Sequence, residues 1–144
     1  MKIALASDHG GFELKEALKK HLTEERNLEV ADLGTHSTES VDYPIYGHTC
    51  GLYVASGAAD CGIVCCGTGI GISIAANKVD GIRAAVCTSV EMGTLAKQHN
   101  NANIIALGGR ILSVEEAIAI TDAWLDAEFL GDRHARRVNM LNHL

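Results

Sequence analysis

Short, continuously apolar runs recur along this chain, and each is followed by a longer segment whose apolar residues return every three or four positions. That alternation leaves few folds open. Ile3-Ala4-Leu5-Ala6 is apolar on both faces when extended, so it reads as a strand covered on both sides. Residues 28–33, Ile63-Val64-Cys65, Ala84-Ala85-Val86-Cys87 and Ile104-Ile105-Ala106-Leu107 read as four more. Between the first two strands, Leu14, Leu18 and Leu22 mark one face of a helix, with Lys15, Glu16, Lys19 and Lys20 assigned to its other faces. Pro44 suits a first helical position and opens a helix that ends near Gly57. A helix runs through Ser73 to Asn77, and Ser89 caps the one after the fourth strand. Ser113 and Glu116 fit a capping box, with Ile118, Trp124 and Leu125 as the apolar face behind it. A last, Arg-rich helix is expected from about Asp132 to the C-terminus. The pattern predicts an α/β fold: a three-layer, Rossmann-like, five-stranded parallel sheet in flavodoxin-like order, with helices on both faces and right-handed crossovers.

The 144 residues, 47% of them hydrophobic, suffice for one core. No linker or internal repeat divides them, so a single domain over 1–144 is expected. A net charge of −6 without a basic stripe argues against a nucleic-acid partner. No apolar run approaches the roughly 20 residues that span a bilayer, so no membrane partner is expected. The opening apolar run turns polar at Ser7-Asp8-His9, too soon for a signal peptide. Five cysteines, an odd count, point to reduced thiols and a cytoplasmic location. None stands in the Cys-x-x-Cys spacing of a zinc site or a redox dithiol, so no metal is expected. Cys65 and Cys66 would face opposite sides of a strand. Cys50, Cys61, Cys65 and Cys87 are expected to serve packing.

In open parallel sheets, ligands bind beyond the carboxyl ends of the strands, where strand order reverses. Three polar groups directly follow strands: Ser7-Asp8-His9, Cys66-Gly67-Thr68-Gly69 and Gly108-Gly109-Arg110. The turn Cys66-Gly67-Thr68-Gly69-Ile70-Gly71 leads from strand to helix. Its glycines let backbone N–H groups approach a ligand, and the helix start adds partial positive charge. This suits an anion, or an oxyanion that develops during a reaction, and the same field favours thiolate at Cys66. A plain tight turn with a buried cysteine is the simpler alternative. The spacing is neither the dinucleotide Gly-x-Gly-x-x-Gly nor a nucleotide-hydrolase phosphate loop. Asp8 can cap the first helix while His9 meets ligand. His99-Asn100-Asn101-Ala102-Asn103 reads either as polar recognition or as a helix-ending loop. Its place between a helix and the fifth strand puts it at the amino end of the sheet, away from its own crevice. Catalytic use would then require a partner subunit. Arg133 and Arg137, spaced i,i+4, can hold a phosphate between them, whereas Arg136 reads as solvated surface.

Taken together, Asp8-His9-Gly10-Gly11-Phe12, Asp42-Tyr43-Pro44, Cys66-Gly67-Thr68-Gly69-Ile70-Gly71, Ala75-Ala76-Asn77-Lys78, Gln98-His99-Asn100, Gly108-Gly109-Arg110 and Arg133-His134-x-x-Arg137 resemble the ribose-5-phosphate isomerase B family, which extends to galactose-6-phosphate isomerases. The match runs nearly the whole chain in order. The resemblance implies a cofactor-independent aldose–ketose isomerisation of ribose 5-phosphate in the pentose phosphate pathway. It implies Cys66 as the base moving a proton between C1 and C2, with Thr68 assisting transfer between the sugar oxygens. The backbone of Gly67, Gly69, Ile70 and Gly71 would stabilise the enediolate. Asp8 and His99 would open the ring and recognise hydroxyls, and Asn100 would hold the sugar. Phosphate would fall to His9, Arg110, Arg133 and Arg137, with His134 nearby; Tyr43 would line the pocket. The family further implies a homodimer, or dimer of dimers, with a shared site. Some members replace the cysteine with an acidic residue six positions later; here that position is Ile72, which leaves Cys66 as the base. The Arg133-His134-x-x-Arg137 segment resembles the ribose branch, while allose 6-phosphate, galactose 6-phosphate or a tetrose phosphate stay open as substrates. A non-catalytic phosphate-binding module and a thiol redox protein are the competing classes.

Overall fold

The computed structural model describes all 144 residues. Five strands form one parallel sheet: β1 (Lys2–Ser7), β2 (Glu29–Asp32), β3 (Cys61–Cys66), β4 (Ala84–Val86) and β5 (Ile104–Gly108). Six α-helices accompany them: α1 (Phe12–Lys20), α2 (Tyr43–Ala55), α3 (Ile70–Asn77), α4 (Val90–Asn100), α5 (Val114–Asp126) and α6 (Arg133–Leu141). Spatial order across the sheet is β2-β1-β3-β5-β4. The α/β class is as expected, and β2-β1-β3 follows the flavodoxin-like order. The last two strands are exchanged relative to it: the long apolar β5 takes the interior place and three-residue β4 becomes the edge. Burial explains the exchange, because all five residues of β5 are buried while those of β4 are only partly so.

Side-chain alternation divides the core in two. Ile3, Leu5, Ile63, Cys65, Ile105 and Leu107 face one side, where Leu14, Leu18 and Leu22 meet Ala117, Ile120 and Trp124 of α5. Ala4, Ala6, Val64, Cys66, Ile104 and Ala106 face the other, against Cys50 and Val54 of α2 and Ile72 and Ala76 of α3. Cys65 and Cys66 thus point to opposite faces, as a strand requires. Helix ends follow their sequence signals. Ser89 accepts from Met92 N–H at 3.1 Å, Ser113 and Glu116 form a capping box, and Pro44 sits in the first turn of α2. Asp8 caps the short 3-10 turn His9–Gly11 that leads into α1.

A side-chain expectation also fails. Lys15 lies not on an outer face of α1 but fully buried, at 0% exposure. Its Nζ donates to both oxygens of Asp32 at 2.7 and 2.8 Å and to Glu16 at 3.0 Å. The end of β2 brings a carboxylate over the helix, and the ammonium turns inward to meet it.

Candidate active site

The loops after β1, β3 and β5 leave the carboxyl edge of the sheet side by side. They stay bonded past the strand ends: Asp8 N–H donates to Cys65 C=O at 3.2 Å, Gly109 N–H to Cys66 C=O at 2.8 Å, and Arg110 N–H to Gly67 C=O at 2.9 Å. Glycine makes this closeness possible. A Cβ on Gly11 would stand 2.4 Å from the Cys65 carbonyl, and one on Gly108 2.7 Å from Thr68 O. Gly69 has φ +82°, which side-chain-bearing residues rarely adopt.

Beside these loops opens a cleft of about 410 Å³. Asp8, Cys66, Thr68 and Arg110 supply its functional side chains, and Gly67, Ile70, Gly71 and Tyr43 its walls. Cys66 is 5% exposed, and its Sγ accepts Gly69 N–H at 3.1 Å. Thr68 Oγ1 accepts Ile70 N–H at 3.2 Å. The N–H groups of Gly67 and Gly71 find no acceptor in the chain. They remain donors at the start of α3, where the helix dipole is positive. Asp8 is 7% exposed; its Oδ1 accepts Gly11 N–H at 3.1 Å. The exposed Arg110 guanidinium lies over Gly67, 3.0 Å from where a Cβ would be, and has no carboxylate partner. The Tyr43 ring covers Gly71 closely enough that a Cβ there would stand 2.6 Å from it. His9, next to Asp8 in the chain, accepts Val41 N–H on Nδ1 at 3.2 Å.

The remaining predicted residues lie elsewhere. His99 and Asn100 end α4, just before β5 enters the sheet. His99 stacks on His134 of α6, centroids 4.2 Å apart and planes 10° from parallel. His134 is 8% exposed and its Nε2 has no hydrogen-bond partner. Burial, reinforced by electrostatic repulsion from neighbours that include Arg133 and Arg137, pushes its ring towards the neutral form. Arg133 and Arg137 are exposed, and no carboxylate pairs with them. Asn100 lines a second cavity of about 280 Å³, with Asn77, Arg83 and Leu141. The sequence candidates therefore form two groups, one at each end of the sheet. No three His, Cys, Asp or Glu side chains converge as metal ligands.

The sequence profile of the Ribose/Galactose Isomerase family matches residues 3–141. The chain belongs to this family. Ribose-5-phosphate isomerase B of Escherichia coli (strain K12) is 50% identical over 140 residues, 97% of this chain and 93% of its own. The solved ribose-5-phosphate isomerase B of Clostridium thermocellum superposes with a TM-score of 0.97 at 54% identity, covering 99% of this chain and 96% of that one. That of Mycoplasma genitalium, solved with bound ribulose-5-phosphate, gives 0.94 at 39% identity, covering 99% and 94%.

Within this isomerase fold, the other four cysteines are packing groups. Burial pushes the thiols of Cys61 and Cys87 up to about 11 and that of Cys50 to about 12, with Cys65 raised further. Sequence reasoning missed the residues that brace the cleft. Asp32, held by Lys15, also accepts Gly34 N–H at 3.0 Å; Gly34 and Thr35 in turn bond the backbone of Ser7, next to Asp8. A lysine one position past Leu14 and three before Leu18 borders the apolar stripe, and that was the available signal. Asn77 clamps β4, its side chain bonding both Ala84 N–H and Ala84 C=O at 2.8 and 2.9 Å.

Proposed function

We propose that this protein interconverts ribose 5-phosphate and ribulose 5-phosphate, in a site completed by a second copy of the chain. The observation that carries the reading is the Cys66 sulfur. It receives an amide N–H at a glycine turn, beside unpaired backbone donors and an unpaired arginine. Isomerisation requires a base for the proton beside the carbonyl and donors for the oxygen that becomes negative. Cys66 removes the C2 proton of the open-chain aldose and returns it to C1. The N–H groups of Gly67 and Gly71 face the oxygens of the enediolate, with Gly69 and Ile70 completing the turn. Thr68 passes the hydroxyl proton from one oxygen to the other. Asp8 serves ring opening and hydroxyl recognition, and Tyr43 closes one wall.

His99 and Asn100 enter from the second copy, His99 for ring opening and Asn100 for the sugar hydroxyls. Arg133 and Arg137, with His134 beside them, join His9 and Arg110 around the phosphate. Two features support a homodimer. The two groups of residues occupy opposite ends of one sheet. Exposed Ile45 and Leu52 on α2, with Ile70 and Ile74 on α3, offer an apolar face beside the cleft. Five unpaired thiols fit a cytoplasmic protein. No helix is long and apolar enough to cross a membrane. The Arg133-His134-x-x-Arg137 segment favours ribose 5-phosphate over allose 6-phosphate, galactose 6-phosphate or a tetrose phosphate.

Kinetics on those sugars side by side test the substrate. A higher kcat/KM on a hexose phosphate overturns the choice of ribose, and turnover of none of them leaves only a binding module. Mixing two inactive homodimers, Cys66→Ala and His99→Ala, tests the shared site. Each mixed dimer contains one site with both residues intact, so activity returns. Absence of recovery after confirmed subunit exchange defeats the sharing.

A further inference from the structure

Arg83 is a half-buried arginine with no carboxylate partner, and the chemistry proposed above makes no use of it. It precedes the edge strand β4. Its Nε donates to Asn100 O and Asn101 O, both at 3.2 Å, and its Nη2 to Asn101 O at 2.9 Å. Its Nη1 reaches Asn142 Oδ1 at 2.9 Å and Gly81 O at 3.4 Å. Burial pushes the guanidinium down, since no anion offsets the lost hydration. What faces it instead is the negative end of the α4 dipole, where carbonyls lack intrahelical donors.

These contacts join two elements that meet nowhere else through a side-chain hydrogen bond. Asn100 and Asn101 close α4, directly after His99. Asn142 closes α6, which carries Arg133, His134 and Arg137. The His99–His134 stack and the bond from Leu130 N–H to Gln98 O at 3.0 Å also join these parts, both near the start of α6. Without Arg83, the far end of α6 has no polar tie to the body of the protein. Asn103 fixes Arg83 itself, accepting its N–H at 2.8 Å.

We propose that Arg83 is a positioning residue for the half-site that α4 and α6 lend to a second copy, setting the distance between His99–Asn100 and the two arginines of α6. The inference rests on the shared-site reading above. A helix cap alone would affect folding stability and leave the kinetic constants of the folded dimer unchanged. A positioning role moves substrate affinity, because the arginines of α6 grip the end of the sugar that does not react. Lysine cannot substitute, since a single ammonium does not span Asn101 O and Asn142 as a planar fork does.

The test uses Arg83→Met and Arg83→Lys in the full-length dimer. KM for ribose 5-phosphate and the inhibition constant of inorganic phosphate are expected to rise about tenfold in both, with kcat changed less than about threefold. Unchanged KM in a folded dimer overturns the proposal. Mixed dimers then locate the effect. Cys66→Ala mixed with Arg83→Met creates one site with an intact Cys66 cleft and an intact borrowed half. A kinetic component with the wild-type KM therefore reappears, at about a quarter of the wild-type rate for statistical exchange between two-site dimers. If Arg83 serves its own chain's cleft, that component is absent, while the Cys66→Ala and His99→Ala mixture still recovers. That pair of results overturns the proposal and leaves the shared site standing. Failure of both mixtures removes the shared site and this inference with it. Should Arg83→Met not fold, Asn142→Ala deletes only the α6 arm at an exposed position. It is expected to raise KM about threefold, the loss of one hydrogen bond, and no change overturns the proposal.

Discussion

Replacing Cys66 with alanine tests the chemistry most directly. The sulfur is the cleft's only thiol, and although Cys66 is buried at 5% exposure its replacement by alanine removes a single heavy atom. The fold cost should be about 1 kcal/mol, near that of losing one buried methyl. The catalytic cost is not. A positioned general base contributes about 10²–10⁴-fold, so kcat should fall by about a thousandfold, equivalent to about 4 kcal/mol of barrier. The residue six positions after Cys66 is the apolar, fully buried Ile72, so no carboxylate stands there to take over the proton, and Asp8 is already assigned to ring opening. Arg110 and the free N–H groups are untouched, so inorganic phosphate should inhibit with an unchanged constant. The assay is initial-rate ribulose 5-phosphate formation at saturating ribose 5-phosphate, with thermal unfolding as control. Turnover within tenfold of wild type, a barrier change of only about 1.4 kcal/mol, would refute Cys66 as the base.

Three further changes probe what surrounds the sulfur. Arg110→Met removes an unpaired guanidinium from the cleft and should raise KM about 10–100-fold, matching about 1.5–3 kcal/mol for a charged hydrogen bond; an unchanged KM would exclude it from phosphate binding. Gly71→Ala places a methyl where the Tyr43 ring lies and should raise KM by displacing that ring. On a Tyr43→Ala background the same substitution should add nothing, and full additivity in the double variant would refute the contact. Lys15→Met leaves Asp32 with only Lys19 and the Gly34 N–H, and should cost about 3 kcal/mol at neutral pH, the lower end for a broken buried pair. Burial alone would raise the Asp32 carboxyl, but hydrogen bonds from Lys15, Gly34 and Lys19 hold it below the usual carboxylate range. Its contribution is thus present above the unfolded value of about 3.9 and lost as pH falls through the lower folded one. The gap between wild type and Lys15→Met in urea unfolding should narrow below about pH 4, and a gap constant with pH would count against the ion pair.

The sequence made legible whatever depends on local periodicity or on chemistry next to a strand end. Runs such as Ile104-Ile105-Ala106-Leu107 have no other stable use, and the Ser113–Glu116 box appears as read. The Cys66 turn and Asp8 converge because strand-following loops of adjacent parallel strands must open together. What stayed hidden depends on contacts between distant segments. Lys15 and Asp32 are unremarkable until β2 lands over α1, and Arg83 looks like a surface charge until α4 and α6 end beside it. The exchange of β4 and β5 was equally invisible, because relative burial of two apolar strands is set by the whole sheet.

The distance between the two groups of site residues leads to a final expectation. Asn100 and Arg110 are ten positions apart in sequence, yet β5, Ile104–Gly108, runs between them. Five strand residues at about 3.3 Å each separate them by about 16 Å along the sheet, before the connecting turns are counted. That separation favours a site that draws the two groups from two copies of the chain. In the two-fold pairing proposed above, the carboxyl edge of one copy would meet α4 and α6 of the other, and symmetry would return the contact. Such a dimer would carry two sites, and a separated chain would carry none. Specific activity should therefore fall on dilution through the dimer dissociation constant and return on concentration. Specific activity that stays constant where sedimentation shows only monomer would place the whole reaction on one chain and remove His99 and Asn100 from it.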